Sequence, residues 1–135
     1  MAIKEIVPTE HEEQVRLVSW CDLMADRGHK DYDMIFAVPN GGARSKATAG
    51  KLRAEGVKAG VPDLMLPVPR GGYAGLFIEM KRRKGGTVRP EQKWWAERLM
   101  RQGFKCIICR GADEGMAMIT AYMELPAVQT IEKGE

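Results

Sequence analysis

Two acidic residues and a lysine near the middle of the chain have the types and spacing needed for phosphate chemistry. Asp63 follows a Gly/Pro turn and opens an apolar run, whereas Glu79 closes the next apolar run and Lys81 follows two residues later. Because side chains alternate along a strand, Glu79 and Lys81 point to one face and Met80 points to the other. A hairpin of these two strands would set Asp63 beside Glu79.

Such a pair of carboxylates is a candidate metal site. Neighbouring carboxylates repel each other unless a cation lies between them. Mg²⁺, or Mn²⁺ in its place, takes oxygen ligands and keeps several waters, so we predict that Asp63, Glu79 and the Met80 carbonyl bind one or two such ions. A lysine at position 81 can hold or deprotonate an attacking water, or meet a phosphate as a point charge.

The elements that position these residues follow from hydrophobic periodicity and turn signals. Thr9 and Glu12 form a capping-box pattern at the start of the first helix. Helices are predicted at residues 9–27, 45–55, 90–103 and 113–125, and strands at 34–38, 63–68, 73–81 and 105–109. This order predicts an α/β sandwich with a mixed central sheet flanked by helices. We expect the strand at 34–38 to be buried.

Length and composition place the chain among globular proteins. Its 135 residues predict one domain, over residues 9–125, with a flexible lead-in at 1–8 and a tail at 126–135. A hydrophobic content of 44% and a charged content of 29% exclude a disordered or membrane protein. The start lacks a signal-peptide apolar stretch, and no run approaches the roughly 18 apolar residues of a membrane span. A cytoplasmic location is predicted.

Basic residues crowd the segments on either side of the two acids. The net charge of +3 is a mild indication of an anionic partner, and the clustering of basic residues near the two acids is a stronger one. DNA phosphates need positioning charges of this kind, although a solvated helix face and a basic loop would look similar. The predicted DNA contacts are Arg44, Lys46, Lys58, Arg82, Arg83, Lys84 and Arg89.

The three cysteines indicate neither a disulfide framework nor a zinc site. Cys106 and Cys109 lie in one predicted strand, where a spacing of three puts the thiols on opposite faces. The two histidines are far away in sequence, and a second CxxC is missing. Free, buried thiols are predicted, which suits a reducing compartment.

The acids and lysine belong to a longer series of motifs. Gly-Val-Lys-Ala-Gly-Val-Pro-Asp stands at 56–63, Phe-Ile-Glu-Met-Lys at 77–81, and Pro-Glu-Gln-Lys-Trp-Trp at 90–95. The bare D…EXK pattern occurs often by chance, but the full series resembles the VRR-NUC family of the PD-(D/E)XK nucleases, in its small stand-alone phage form. The resemblance implies a restriction-endonuclease-like fold and Mg²⁺- or Mn²⁺-dependent cleavage of branched or duplex DNA, similar to Holliday junction resolution. It also implies a homodimer acting in phage replication, repair or recombination in the host cytoplasm.

The same resemblance suggests three further site residues. Glu10 and Gln14 match a Glu…Gln pair on the first helix, so Glu10 would lie near the metal, with Glu13 as the rival. Gln92 matches a glutamine that would orient water, Lys81 or a phosphate, whereas Asn40 would touch substrate from a Pro-Asn-Gly loop. Each also has a structural reading: first-turn acids favour the helix dipole, Gln92 could be an exposed helix residue, and Asn40 could form a turn.

Alternative functions predict different residues. A DNA-binding module that no longer cuts would lack an acid or the lysine, and a protein that binds through basic loops alone would not need Asp63 and Glu79. Both motif acids and Lys81 are present, which favours the enzyme. Trp94 and Trp95 could stack on bases, but core packing is the commoner role, and we expect it here.

Overall fold

Four strands and four helices form the part of the chain that the computed structural model describes, residues 6–39 and 45–127. The helices are α1 (Glu10–Asp26), α2 (Lys46–Ala54), α3 (Pro90–Arg101) and α4 (Ala112–Met123), and the strands are β1 (Phe36–Ala37), β2 (Leu64–Leu66), β3 (Leu76–Lys81) and β4 (Lys105–Arg110). A short 3₁₀ turn at Tyr32–Met34 precedes β1. Within the described ranges, no helix is long and apolar enough to cross a bilayer.

The strands form one mixed sheet in the order β1-β2-β3-β4. The β1–β2 and β2–β3 pairs are antiparallel, and β3 and β4 are parallel. The Cys106 thiol lies 3.7 Å from the Ala96 carbonyl oxygen of α3, whereas the Cys109 sulfur lies 3.6 Å from the Met118 sulfur of α4. Helices therefore cover both faces of the sheet. This confirms the predicted sandwich, and it confirms that the two thiols face opposite sides.

Strand β3 is buried along its whole length because it lies at the centre of the sandwich. Leu76, Ile78 and Met80 are fully buried, and α1 packs Leu17 and Cys21 into the same core. The burial extends to the polar members of the strand, since Glu79 is 7% and Lys81 is 3% exposed. The core thus fixes the positions of two charged side chains that sequence reasoning singled out.

Four predictions about burial and length need correction. The strand predicted at 34–38 is only Phe36–Ala37, and both residues are exposed because β1 packs mainly against β2 within the described chain. The strands predicted at 63–68 and 73–81 are shorter, Leu64–Leu66 and Leu76–Lys81. Core packing is wrong for Trp94, which is 51% exposed on the outer face of α3. The helix predictions are confirmed, including the reciprocal hydrogen bonds of the capping box that starts α1.

Candidate active site

The hairpin of β2 and β3 brings the two predicted acids together. Leu64 pairs with Ile78 in the antiparallel register, so the next position along sets Asp63 opposite Glu79. Asp63 is also tied to β3, because its Oδ2 accepts a hydrogen bond from the Met80 N–H at 2.7 Å. The carboxylate that precedes β2 is therefore fixed by the backbone of the strand that carries Glu79 and Lys81.

Gln92, at the start of α3, links the two charged side chains of β3. Its Nε2 donates to Glu79 Oε1 at 2.7 Å, and its Oε1 accepts from Lys81 Nζ at 3.2 Å. The same oxygen accepts from the Arg89 backbone N–H at 2.9 Å, which anchors it to the helix start. Lys81 Nζ also lies 3.5 Å from Glu79 Oε1. One amide thus holds a buried carboxylate and a buried ammonium group in fixed relation.

The electrostatic environment of Glu79 disfavours its charged form. Burial first, and then the neighbouring Asp63 carboxylate, raise the pKa of Glu79 to about 8, although Lys81 acts in the opposite direction. Glu79 Oε2 is buried and finds no hydrogen-bond partner in the described part of the chain. Because two ionised carboxylates cannot donate to each other, this oxygen needs a proton, a cation or a water molecule as its partner.

These donors fit a hard divalent cation. Asp63 and Glu79 supply carboxylate oxygens, and the Met80 carbonyl follows directly on the strand. Among residues 6–39 and 45–127, no group of three or more His, Cys, Asp or Glu side chains could enclose an ion. Two carboxylates and a backbone carbonyl suit Mg²⁺, which proteins commonly hold by one or two carboxylates plus water and phosphate.

A polar hollow of about 240 Å³, here called the central pocket, collects all five predicted catalytic residues. It is bordered by Glu10, Asp63, Glu79, Lys81 and Gln92, and also by Arg89. The five catalytic residues come from four parts of the fold, namely α1, the approach to β2, β3 and α3. The fold therefore assembles in one place residues that are up to 82 positions apart, from 10 to 92.

The two rival acids of α1 have different surroundings. Glu10 borders the central pocket, and a β-carbon placed on Gly86 would lie 3.6 Å from Glu10 Oε1 and 3.8 Å from Lys81 Cδ. Glu13 is 1% exposed, and its Oε2 accepts from Arg83 Nε at 3.1 Å. Glu13 is thus a buried carboxylate that is already paired with a half-exposed arginine. This geometry favours Glu10 as the acid nearest the predicted metal.

The predicted DNA contacts lie mainly on the surface, and they remain predictions. Arg82 is exposed, and its Nη2 donates to the Val7 carbonyl at 3.2 Å. Arg83 differs from the others because Glu13 holds its guanidinium, which sequence reasoning did not foresee. Asn40 and Arg44 lie outside the described residues. The remaining members of the set are exposed: Lys46, Lys58, Lys84 and Arg89.

Gly111 is a supporting residue that the sequence analysis missed. Its N–H donates to the Lys81 carbonyl at 3.0 Å, and its φ is +90° with ψ at 161°, a conformation open essentially to glycine alone. A β-carbon here would lie 2.6 Å from Arg83 Cγ and 2.7 Å from Glu13 Oε2. A lone glycine between a strand and a helix gives too little signal to reveal this contact.

We expect Gly111→Ala to destabilise the protein by about 3 kcal/mol or more, because backbone strain and a clash with the ion pair add together. Gly103→Ala is the matched control, since Gly103 also has a positive φ of +92° but open space around it. The control should cost only about 1–2 kcal/mol. Urea unfolding of both variants measures the difference; equal losses would show that the Glu13–Arg83 pair does not pack tightly against Gly111.

The fold and site together define an α/β protein of the restriction-endonuclease-like class with a buried carboxylate–lysine centre. A sequence profile of the VRR-NUC domain matches residues 3–113. A solved structure described as a VRR_NUC domain protein has a TM-score of 0.77 and 30% identity, covering 95% of this chain and 98% of that chain. A search of curated proteins gave no significant match. The chain belongs to the VRR-NUC family, a family of nucleases.

Proposed function

We propose that this protein is a Mg²⁺- or Mn²⁺-dependent DNA endonuclease that cuts branched DNA. The single observation behind this proposal is the buried, uncompensated Glu79 Oε2 beside Asp63, with Lys81 held 3.5 Å from the other Glu79 oxygen. Asp63, Glu79 and the Met80 carbonyl would hold the ion, and Glu10 would contribute directly or through a water. Four-way junctions and related branches formed in phage replication, repair or recombination, in the host cytoplasm, are the proposed substrates.

A bound divalent ion would supply a more acidic water and would offset negative charge on the scissile phosphate. The chain's own groups do the positioning. Lys81 points its ammonium group into the central pocket, where it can orient a water or meet a phosphate oxygen that gains charge during hydrolysis. Gln92 accepts from that ammonium and donates to Glu79, so neither side chain needs to reorganise when DNA arrives.

Cleavage of a labelled four-way junction tests this proposal. The purified protein is incubated with the junction and with Mg²⁺, with Mn²⁺, or with a chelator, and products are resolved on a denaturing gel. Cutting should require a divalent ion. A protein that binds the junction but never cuts it, with either ion, would instead be the inactive DNA-binding module.

Gln92→Ala should lower the rate of cleavage by about 10–100-fold, the usual loss when a group that orients a metal ligand is removed. The reason is that Lys81 and Glu79 would lose their shared partner. Gln102→Ala, at the exposed end of the same helix, is the matched control and should cleave normally. Single-turnover kinetics at saturating Mg²⁺ measure the effect. An unchanged rate for Gln92→Ala would leave this glutamine with a structural role only.

We also propose that the protein acts as a homodimer, since a four-way junction has two-fold symmetry that a dimer can match. The outer strand β4 supports this proposal, because it carries an exposed Ile108 (41%) near Met100 (50%) on α3. Ile108→Glu should therefore give monomers in sedimentation experiments, with Val15→Glu on α1 as the control. A wild-type protein that sediments as a monomer at high concentration would exclude the dimer.

A further inference from the structure

A second hollow, here called the side hollow, borders the central pocket. It is a depression of about 450 Å³ that opens widely to solvent, and its volume lies within the size range of small-molecule sites. Val61 lines both hollows, so only the loop that carries Val61 separates them. This loop is seated firmly against α3: Gly60 has a φ of +93°, and a β-carbon there would lie 2.7 Å from the Glu91 carbonyl oxygen. The spacing between the two hollows is thus fixed by a close backbone contact.

The lining of the side hollow suits a flat, partly polar ring. Trp95 and Phe77 provide aromatic walls, and Val57 and Leu99 add aliphatic surface. The Arg98 guanidinium lies 4.4 Å from the Trp94 ring centroid and 5.8 Å from that of Trp95, so positive charge lies near one of these walls. Every nucleobase has a π-face that can stack on such a wall.

Two charged groups on the rim of the side hollow could bind the polar parts of a nucleotide, in addition to its base. Lys58 lines the hollow with an ammonium group that can meet a phosphate. Glu55 lines it with a carboxylate that can accept from the amino group of a base. An apolar ligand without charge would use neither group, and a free anion would not use the aromatic walls.

We propose that the side hollow binds an unpaired nucleobase of the DNA substrate, next to the phosphate held in the central pocket. The inference rests on the proposed nuclease function and deepens it by naming the substrate feature that is read. A base inside a duplex cannot reach such a hollow without being extruded, which costs free energy that a base already unpaired does not require. Bulges and flaps supply unpaired bases, so the protein would select branched DNA that carries them.

Fluorescence of 2-aminopurine provides the test. The analogue is placed as a single bulged base in one duplex and as a paired base in another, and binding is measured in chelator so that no cutting occurs. Wild-type protein should quench the bulged analogue and bind that duplex about tenfold more tightly than the paired one, the order expected when one base stacks on an aromatic side chain. An abasic site in place of the bulged base should remove this advantage without any change in the protein.

Three variants separate the side hollow from the rest of the surface. Val57→Trp fills the hollow and Trp95→Ala removes its wall, so both should lose the tenfold advantage while binding the paired duplex normally. Met100→Ala is the control, because Met100 lies on α3 but is half exposed and does not line the hollow. It should keep the advantage. Thermal melting checks that each variant is folded. If Trp95→Ala does not fold, Val57→Trp alone carries the test.

The outcomes distinguish this inference from the proposed function. Equal binding of bulged, abasic and paired duplexes by wild-type protein would overturn the role of the side hollow and leave the nuclease proposal intact. The same conclusion follows if folded Val57→Trp keeps the full preference, or if Met100→Ala alone removes it. A protein that binds none of the three duplexes would instead overturn the proposed function itself.

Discussion

Asp63→Ala abolishes cleavage of a four-way junction while the protein continues to bind it. We expect the rate to fall by roughly 10³-fold or more, because loss of a single preorganised charge-stabilising group already costs about 10²–10³. Asp63 would lose its role as a metal ligand, whereas the basic residues that meet DNA phosphates would be unchanged. Cleavage is read from a denaturing gel, and binding is read from a mobility shift in chelator.

A second substitution at the same position separates catalysis from folding. Asp63 Oδ2 accepts from the Met80 N–H, so alanine leaves that strand N–H without its partner. Asp63→Asn keeps an oxygen acceptor and removes the charge, so it should fold normally and still fail to cut. Asp22→Asn, at an exposed position of α1, is the control for a lost carboxylate elsewhere. Cutting by Asp63→Asn at the wild-type rate would remove Asp63 from the catalytic site.

Glu79→Gln has the second largest expected effect. The substitution should lower activity but raise the stability of the metal-free protein. Cleavage should be lost, because glutamine is neutral and cannot replace the carboxylate as a metal ligand. The metal-free variant should nevertheless be more stable than wild type at pH 8 or above. A neutral amide relieves the burial of charge, and it no longer repels Asp63.

The pH dependence follows from the raised pKa of Glu79, about 8 in the folded protein against 4.5 as the ordinary value. The folded state therefore favours the protonated form, and metal-free wild-type protein loses stability as pH rises from about 4.5 to about 8. One pKa unit corresponds to about 1.4 kcal/mol, so this shift corresponds to a loss on the order of 5 kcal/mol, or roughly 10–20 °C in melting temperature. Glu79→Gln should not show this loss. The melting temperatures of the two metal-free proteins should therefore be similar at pH 4, and that of wild type should be lower at pH 8.

Metal addition completes the comparison. Because an ion must displace the proton from Glu79, wild-type affinity for Mg²⁺ or Mn²⁺ should rise with pH up to about 8 and then level off. The ion should raise the melting temperature of wild-type protein at pH 8 and leave Glu79→Gln unchanged. A variant that melts below wild type in chelator at pH 8 would contradict the electrostatic conflict between Asp63 and Glu79.

Local sequence signals were sufficient for most of the fold. Turn residues, the capping box at Thr9 and alternating apolar runs predicted the order of all eight helices and strands described here. The same alternation placed Met80 in the core and Glu79 with Lys81 on the other face. The sequence could not reveal which strands the helices cover, and β1 is exposed because it packs mainly against β2. An apolar run looks alike whether one or both of its faces are covered.

The positions of site residues could be predicted only where each residue lies at a recognisable place in one predicted strand or helix. Asp63, Glu79 and Lys81 stand at the ends of predicted strands, so a hairpin was enough to bring them together. The choice between Glu10 and Glu13 depends on the rotation of α1 relative to the sheet, which first-turn acids do not encode. The Glu13–Arg83 pair joins residues 70 positions apart, and the side hollow forms from four separate segments. Long-range contacts of this kind leave no local pattern.

A crystal grown with Mn²⁺ tests most directly whether Asp63 and Glu79 share a cation. Anomalous scattering at the manganese edge locates the ion without reference to activity. We expect one strong peak, or two about 3.5–4 Å apart, within coordination distance of both carboxylates and beside the Lys81 ammonium group. A manganese peak at another place, with no ion between Asp63 and Glu79 at pH 8 or above, would contradict the metal-dependent mechanism.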